Sequence, residues 1–315
     1  MPITRLLVFL AGFAASGAWA QSYPVKNVAL VTHSSPGGGS DVFLRTLAKH
    51  LGPRMGVNFA VENVRGGSGA KAVSRVAQAP ADGSVLYATT PTYIQTTLLS
   101  KPAHGYDSLM PVAIVFLDPE VIYTRAESPH KTLAEAMAQA RANSGKARWG
   151  ASNPASLERM AMERLNRISQ ARAAIVSHEG GGDQMIGVLN GTYDLGIGEI
   201  QELRGQLEAK KIRLLAVLTE KRLPDHSSLA TAREQGIDLV VTKFRGLAGP
   251  KKLPPEVLKA WDSGLKAVLA DPAYRQEYAR ESLVPAYMGH EQAGPFTARF
   301  AGELAASLRE LGLLK

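Results

Sequence analysis

The sequence predicts an α/β protein of two domains joined by two extended crossings. Strand signals alternate with helical periodicity along most of the chain, as in α/β folds and unlike folds whose strands and helices are segregated. Runs of glycine and hydroxyl residues recur where strands give way to helices, the edge at which open α/β sheets bind ligands. Two extended stretches, 119–123 and 240–248, separate one strand–helix set from another. The division expected is a signal at 1–20, one domain from 21–118 plus 246–315, and a second from 119–245.

The signal reading rests on Arg5, a short apolar run at 6–13 and the small-x-small site Ala18-Trp19-Ala20, so cleavage falls after Ala20. No later stretch is long and apolar enough to span a bilayer. There is no cysteine, which excludes disulfides, a thiolate nucleophile and lipid anchoring through an N-terminal Cys. The net charge is +8, or +7 once Arg5 is removed. These basic residues are scattered and aromatics are few, unlike a nucleic-acid groove with its basic stripe and stacking rings. A mild positive field suits capture of small anions.

The first strand, 28–32, runs into Ser34-Ser35-Pro36-Gly37-Gly38-Gly39-Ser40-Asp41, and apolar residues at Val42, Leu44, Leu47, Ala48 and Leu51 then follow a helical period. Ser40 or Asp41 is expected to cap that helix, whose N-terminus suits an anion. The nucleotide readings fail on spacing. No Lys follows the glycines as in a P-loop, and Val42 stands where the dinucleotide fingerprint needs its third glycine. A second strand, 59–64, opens into Arg65-Gly66-Gly67-Ser68-Gly69-Ala70. A third, 85–89, opens into Thr90-Pro91-Thr92-Tyr93. A fourth strand, 110–117, leads into the first crossing.

Beyond the crossing Thr132 and Glu135 form a capping box. Strand 147–150 opens into Ala151-Ser152-Asn153-Pro154-Ala155-Ser156 ahead of a helix at 157–168. Strand 174–178 opens into Glu179-Gly180-Gly181-Gly182-Asp183. A short strand at 194–199, a helix at 202–210 and a strand at 214–218 follow. After the return crossing, helices are expected at 255–269, 272–280 and 292–311. Two such domains joined twice make a cleft with hinges at the crossings and anion-binding backbone on both lips.

These residues resemble the periplasmic solute-binding receptors of tripartite tricarboxylate transporters, from about Tyr23 to the C-terminus. The resemblance is carried by Pro36-Gly37-Gly38-Gly39-Ser40-Asp41, by Val61-Glu62-Asn63-Val64-Arg65-Gly66-Gly67-Ser68-Gly69 and by Pro80-Ala81-Asp82-Gly83. Further on it is carried by Gly180-Gly181 with Leu189-x-Gly191-x-x-Asp194, by Leu214-Leu215-Ala216-Val217 and by Gly246-Leu247-Ala248-Gly249-Pro250. It implies a type II periplasmic-binding-protein clamshell that hands a small organic acid to a membrane permease of a large and a small subunit. It further implies that backbone N–H groups, hydroxyls and water hold the ligand carboxylate. On one lip those residues are Gly38, Gly39, Ser40, Asp41, Gly67, Ser68, Gly69, Thr90 and Thr92. On the other they are Ser152, Asn153, Ser156, Gly180, Gly181 and Asp183, with His178, Glu179 and Glu199 beside them.

The chain departs from the family where His178-Glu179 replaces a common Tyr-Lys pair and where Glu199 replaces a small residue or Asp. Two acidic groups there ask for a compensating cation, a ligand amine or an orientation away from the ligand. No cofactor, resident metal or catalytic residue is expected, although His33, His178, Glu179, Asp183 and Glu199 are of metal-ligating type. The chain is read as a monomer and not as an enzyme. A ligand sensor for a signalling partner, and a hydrolase using Ser and His, remain the alternatives. Arg245 either pairs with a ligand carboxylate or locks the hinge, and the second is favoured.

Overall fold

The computed structural model describes residues 23–178 and 181–314. In chain order the elements begin β1 (Asn27–Thr32), α1 (Gly39–Met55), β2 (Asn58–Asn63), α2 (Ala70–Ala77), β3 (Val85–Thr89), α3 (Pro91–Ser100) and β4 (Leu109–Leu117). Next come β5 (Glu120–Arg125), α4 (Leu133–Ala142), β6 (Arg148–Ala151), α5 (Leu157–Ser169), β7 (Ala174–Ser177), α6 (Gly181–Leu189), β8 (Gly196–Glu199), α7 (Ile200–Glu208) and β9 (Ile212–Val217). The chain closes with β10 (Phe244–Pro250), α8 (Pro255–Leu269), α9 (Pro272–Arg280), β11 (Val284–Met288) and α10 (His290–Glu310).

The first lobe is built on a six-stranded sheet in the order β11-β4-β10-β3-β1-β2. β1 runs parallel to β2 and β3, whereas β10 is antiparallel to both β3 and β4. Successive side chains of a strand point to opposite faces, and β3 shows it. Leu86 and Ala88 join Leu47, Val257 and Trp261 on the face covered by α1, α8 and α9. Val85 and Tyr87 join Val73, Ile94 and Phe296 on the face covered by α2, α3 and α10. All five residues of β3 are buried, as a strand covered on both faces requires.

The second lobe carries a three-stranded sheet, β8-β5-β9, and the parallel pair β6-β7. A bridge from Trp149 to Leu195 links the two. Two helix starts here carry side-chain caps. Thr132 Oγ1 accepts from the Glu135 N–H of α4 (3.1 Å), Glu135 returns a bond to the Lys131 N–H (2.7 Å), and Ser156 Oγ accepts from the Arg159 N–H of α5 (3.0 Å).

The chain leaves the first lobe after Leu117 and returns through Lys243, and these crossings pair with each other. The Asp118 N–H donates to the Lys243 carbonyl (3.0 Å), and Phe244 and Arg245 pair in register with Leu117 and Phe116. The return segment is more than a crossing. Residues 244–250 form an interior strand of the main sheet, buried at every position. Gly246 lies so close to the carbonyl of Ala113 and the hydroxyl of Thr89 that a Cβ there collides with both, so the glycine that weakens the strand signal is what lets the strand pack. The antiparallel edge strand β11 is not anticipated by the sequence reading, because Pro285 interrupts its pattern.

Candidate functional site

The C-terminal ends of β1, β2 and β3 lie at one edge of the main sheet and open into three loops. In the first, Gly38 is the N-cap of α1 and no side chain caps the helix. The expected capping by Ser40 or Asp41 is therefore corrected. Asp41 turns back, its Oδ2 accepting from the Gly37 N–H and Arg45 Nε (2.9 Å each) and its Oδ1 from Asn63 Nδ2 (2.9 Å). These bonds hold the Asp41 carboxyl below the usual carboxylate range against the opposing effect of burial. Ser40 Oγ accepts from Arg245 Nη1 (2.7 Å). A Cβ on Gly39 would strike the Arg245 guanidinium, which Asp118 and Glu199 hold in place.

In the second loop Gly66, Gly67, Ser68 and Gly69 all have positive φ (121°, 59°, 51° and 95°). Four successive left-handed residues require glycine at nearly every position, and Ser68 is held there by Thr96 Oγ1, which donates to its carbonyl (2.7 Å). In the third loop Thr90 precedes α3 with no capping bond, and its buried Oγ1 has no partner among the described residues.

These loops face the β6–α5 loop and helices α6 and α7 across a cavity of about 650 Å³, within the usual range for small-molecule sites. Its lining includes Gly38, Gly39, Ser40, Ser68, Gly69, Thr90 and Thr92 on one side, and Ser152, Asn153, Asp183 and Glu199 on the other. The opposite wall is partly apolar, formed by Met185, Ile186, Leu189, Ile197 and Leu203. Ile186 is 61% exposed, the most exposed of the large hydrophobic residues among those described.

Behind the cavity lies a buried charge network. The register of β5 and β8 sets Glu120 opposite Glu199, an arrangement that is repulsive by itself. Lys243 resolves it. Its Nζ lies 2.9 Å from Glu120 Oε1, donates to Glu158 Oε1 (2.6 Å) and pairs with Glu199. Arg245 Nε donates to Asp118 Oδ2 (2.6 Å), and Nη2 donates to Glu199 Oε1 (2.7 Å). Burial alone would raise Glu199, but Lys243 and Arg245 outweigh it and pull its pKa down to about 2. Burial pushes Asp118 up to about 6 despite Arg245, and raises Glu120 well above the normal range. Glu120, Glu158 and Glu199 overcome the burial of Lys243 and keep its ammonium charged. Their oxygens lie close enough to suit a metal, but Lys243 Nζ already pairs with all three.

Two further groups tune the cavity. His33 lines it and shares a hydrogen bond from Nδ1 with Tyr87 Oη (2.8 Å). Burial, then Arg245 and Lys243, lower its pKa to about 4, so the ring is neutral. Glu202 accepts from the Gly39 N–H across the cleft (2.8 Å). Burial and the adjacent Glu199 push Glu202 up to about 8.

Four expected ligand residues, Asp41, Gly67, Ser156 and His178, are not part of the cavity lining. They belong to the frame around it. Asp41 braces its loop, Gly67 lies within the turn of positive φ, and Ser156 caps α5. The His178 N–H donates to the Ala151 carbonyl (3.1 Å), and its ring lies against Tyr193, tilted by 60° at 5.2 Å between centroids. Gly181 begins α6. Glu179 and Gly180 lie outside the described residues. Glu199 takes its compensating charge from the protein itself. Missed by sequence reasoning were Lys243, Glu202, Glu158, Asp118 and the apolar wall, while His33, singled out only as a residue of metal-ligating type, lines the cavity. One signal was available: Lys243 and Arg245, two apart on an extended segment, fall on the same face.

A family model described as tripartite tricarboxylate transporter family receptor matches residues 43–313. A relative from Cupriavidus necator, the UPF0065 protein in gbd 5'region, is 27% identical over 310 residues, covering 96% of this chain and 94% of its own. The structure of Rpa4515 of R. palustris with adipate superposes with a TM-score of 0.87 at 24% identity, covering 92% of this chain and 99% of that one. MatC of Rhodopseudomonas palustris with bound malate gives 0.81 at 22% identity, with coverage of 92% and 99%. At these identities the two structures establish a shared periplasmic-binding-protein fold.

Proposed function

This chain belongs to the tripartite tricarboxylate transporter receptor family, and we propose that it captures a small organic acid in the periplasm and delivers it to a membrane permease of that transporter class. The observation that carries the reading is the two-sided cavity. Glycine-loop backbone and the hydroxyls of Thr90 and Thr92 face the apolar side chains of Met185, Ile186 and Leu189 across about 650 Å³. A carboxylate suits the first surface and a hydrocarbon body the second. The buried cations do not compete for the ligand, because Lys243 and Arg245 are engaged by protein carboxylates.

The mechanism is capture without chemistry. The acid enters between the lobes, the loops at the ends of β1, β2 and β3 take a carboxylate, and α6 covers its apolar part. The lobes, 21–118 with 246–315 and 119–245, close about the paired crossings, and only a ligand with higher affinity for the closed form drives that closure. Residues 1–20 direct export and are removed after Ala20. Adipate and malate, seen bound in related structures, head the panel of acids to test.

A thermal-shift screen of the chain from Gln21 onward, against mono- and dicarboxylates of increasing length, tests the reading. An acid at a hundred times its dissociation constant stabilises the protein by about 2.7 kcal/mol. One acid, or one homologous series, giving such a shift is the expected result. Mature protein that yields no shift with any carboxylate, and releases no acid on denaturation, refutes it.

A further inference from the structure

The first glycine loop keeps most of its N–H groups to itself. Gly37 donates to Asp41, Gly38 to the Ser35 carbonyl, and Asp41 to the Gly38 carbonyl. Gly39 differs. Its N–H crosses the cleft and donates to Oε1 of Glu202 (2.8 Å), 163 residues away on the other lobe. A carboxyl group from the protein thus occupies a backbone donor at the start of α1, where an external carboxylate would dock. Glu202 also lines the cavity beside Glu199, the N-cap residue of its own helix α7. The charged and titratable groups around it are Glu199, Lys243 and Arg245 of the network, and Tyr123 of β5.

We propose that Glu202 is a specificity-determining residue that imitates a ligand carboxylate: it holds the Gly39 amide, and an acid binds by displacing it. The displacement half rests on the organic-acid reading above; the Glu202–Gly39 contact itself does not. Two consequences follow from the geometry. An acid gains at this amide only the difference between its own hydrogen bond and the one it breaks, so the subsite favours ligands with a second anchor elsewhere in the cavity. A displaced Glu202 also stays close to both Glu199 and the incoming carboxylate. A neutral Glu202 tolerates this, whereas an ionised one repels the ligand and holds the Gly39 N–H more strongly. Burial and Glu199 favour the neutral form, with a pKa of about 8. Acid capture is therefore coupled to retention of a proton on Glu202.

The experiment compares the protein from Gln21 onward with its Glu202→Ala and Glu202→Gln variants. The first readout needs no ligand: amide hydrogen exchange at Gly39. In Glu202→Ala the Gly39 amide should exchange about tenfold faster, whereas Glu202→Gln, whose side-chain carbonyl still accepts, keeps most of the protection. Unchanged exchange in Glu202→Ala overturns the contact. The second readout is calorimetric titration with adipate and with malate at pH 7 and pH 9. The wild type should bind about tenfold more weakly at pH 9, as expected for one group titrating near pH 8. Both variants should show no such loss, and Glu202→Ala should bind more tightly than wild type at pH 9. An undiminished pH effect in Glu202→Gln overturns the displacement. If no acid of the screening panel, adipate and malate included, binds any form while Gly39 exchange still depends on Glu202, the acid reading and the displacement fail together, and the contact stands.

Discussion

Arg245, on the strand that returns to the first lobe, donates through Nε to Asp118 Oδ2 of the outgoing crossing at 2.6 Å. The pair joins the two crossings between the lobes, 127 residues apart in sequence. Arg245→Ala leaves Asp118 buried without its cationic partner and Glu199 with Lys243 alone. Removing one member of a buried pair costs roughly 3–5 kcal/mol, and urea denaturation should show that loss as a lower midpoint. In Asp118→Asn/Arg245→Met, where both charges go, the loss should be smaller than in Arg245→Ala.

Lys243→Met tests the carboxylate cluster. Without the ammonium, Glu120, Glu158 and Glu199 face one another in a buried site, and the cost is relieved only by protonation. The variant should lose more stability at pH 8 than at pH 5. Denaturation at the two pH values checks this, and an equal loss at both contradicts the assignment of Lys243 as the neutralising group.

Thr90→Val separates a role in binding from a role in folding. Thr90 is buried, and its hydroxyl has no partner among the described residues. Removing an unsatisfied buried hydroxyl without changing shape should leave stability unchanged or raise it by about 1 kcal/mol. Acid affinity should fall at least several-fold if the hydroxyl faces the ligand. Thermal melts with and without the acid identified by screening measure both effects.

Ile186 carries the complementary test. At 61% exposure, Ile186→Ser should change unfolding stability by no more than about 0.5 kcal/mol. It should weaken acids with longer hydrocarbon bodies more than short ones, by about tenfold or more, since burying an apolar side chain is worth about 1.5–3 kcal/mol. Affinities across a dicarboxylate series provide the measurement, and uniform weakening across the series speaks against an apolar wall.

The pH dependence on the acid side belongs partly to His33. Its pKa is lowered in the folded state to about 4 from 6.5, so the unfolded chain binds the extra proton between those values. Stability contributed by neutral His33 is complete above pH 6.5 and is lost as pH falls toward 4. Glu199, lowered from 4.5 to about 2, adds a loss that begins near pH 4.5. His33→Gln should flatten the profile between pH 6.5 and 4.5 while leaving the steeper decline below it, as a melting series in steps of half a pH unit will show.

Much of the frame was legible in local sequence. The alternation of strands and helices, the glycine loops after β1 and β2 and the cap at Thr132 depend on residues only a few positions apart. The rest depends on partners far away. Residues 240–248 read as a crossing, yet 244–250 form an interior strand, because burial between β3 and β4 tolerates the glycines and the terminal proline of that segment. Asp41 looked like a cap and braces the loop through Asn63, 22 residues on.

The charges show the division most clearly. The sequence by itself determined an α/β chain with hydroxyl- and glycine-rich strand ends on two lobes, since periodicity and turn chemistry are written in neighbouring residues. It could place Glu199 near the cleft but not supply its neutraliser. Only the tertiary structure brought Lys243 and Arg245 to it from 44 and 46 residues away, and set Glu202 against Gly39. Electrostatic pairing in a buried site depends on distance in space, and that distance is fixed by how the two lobes fold back through their paired crossings.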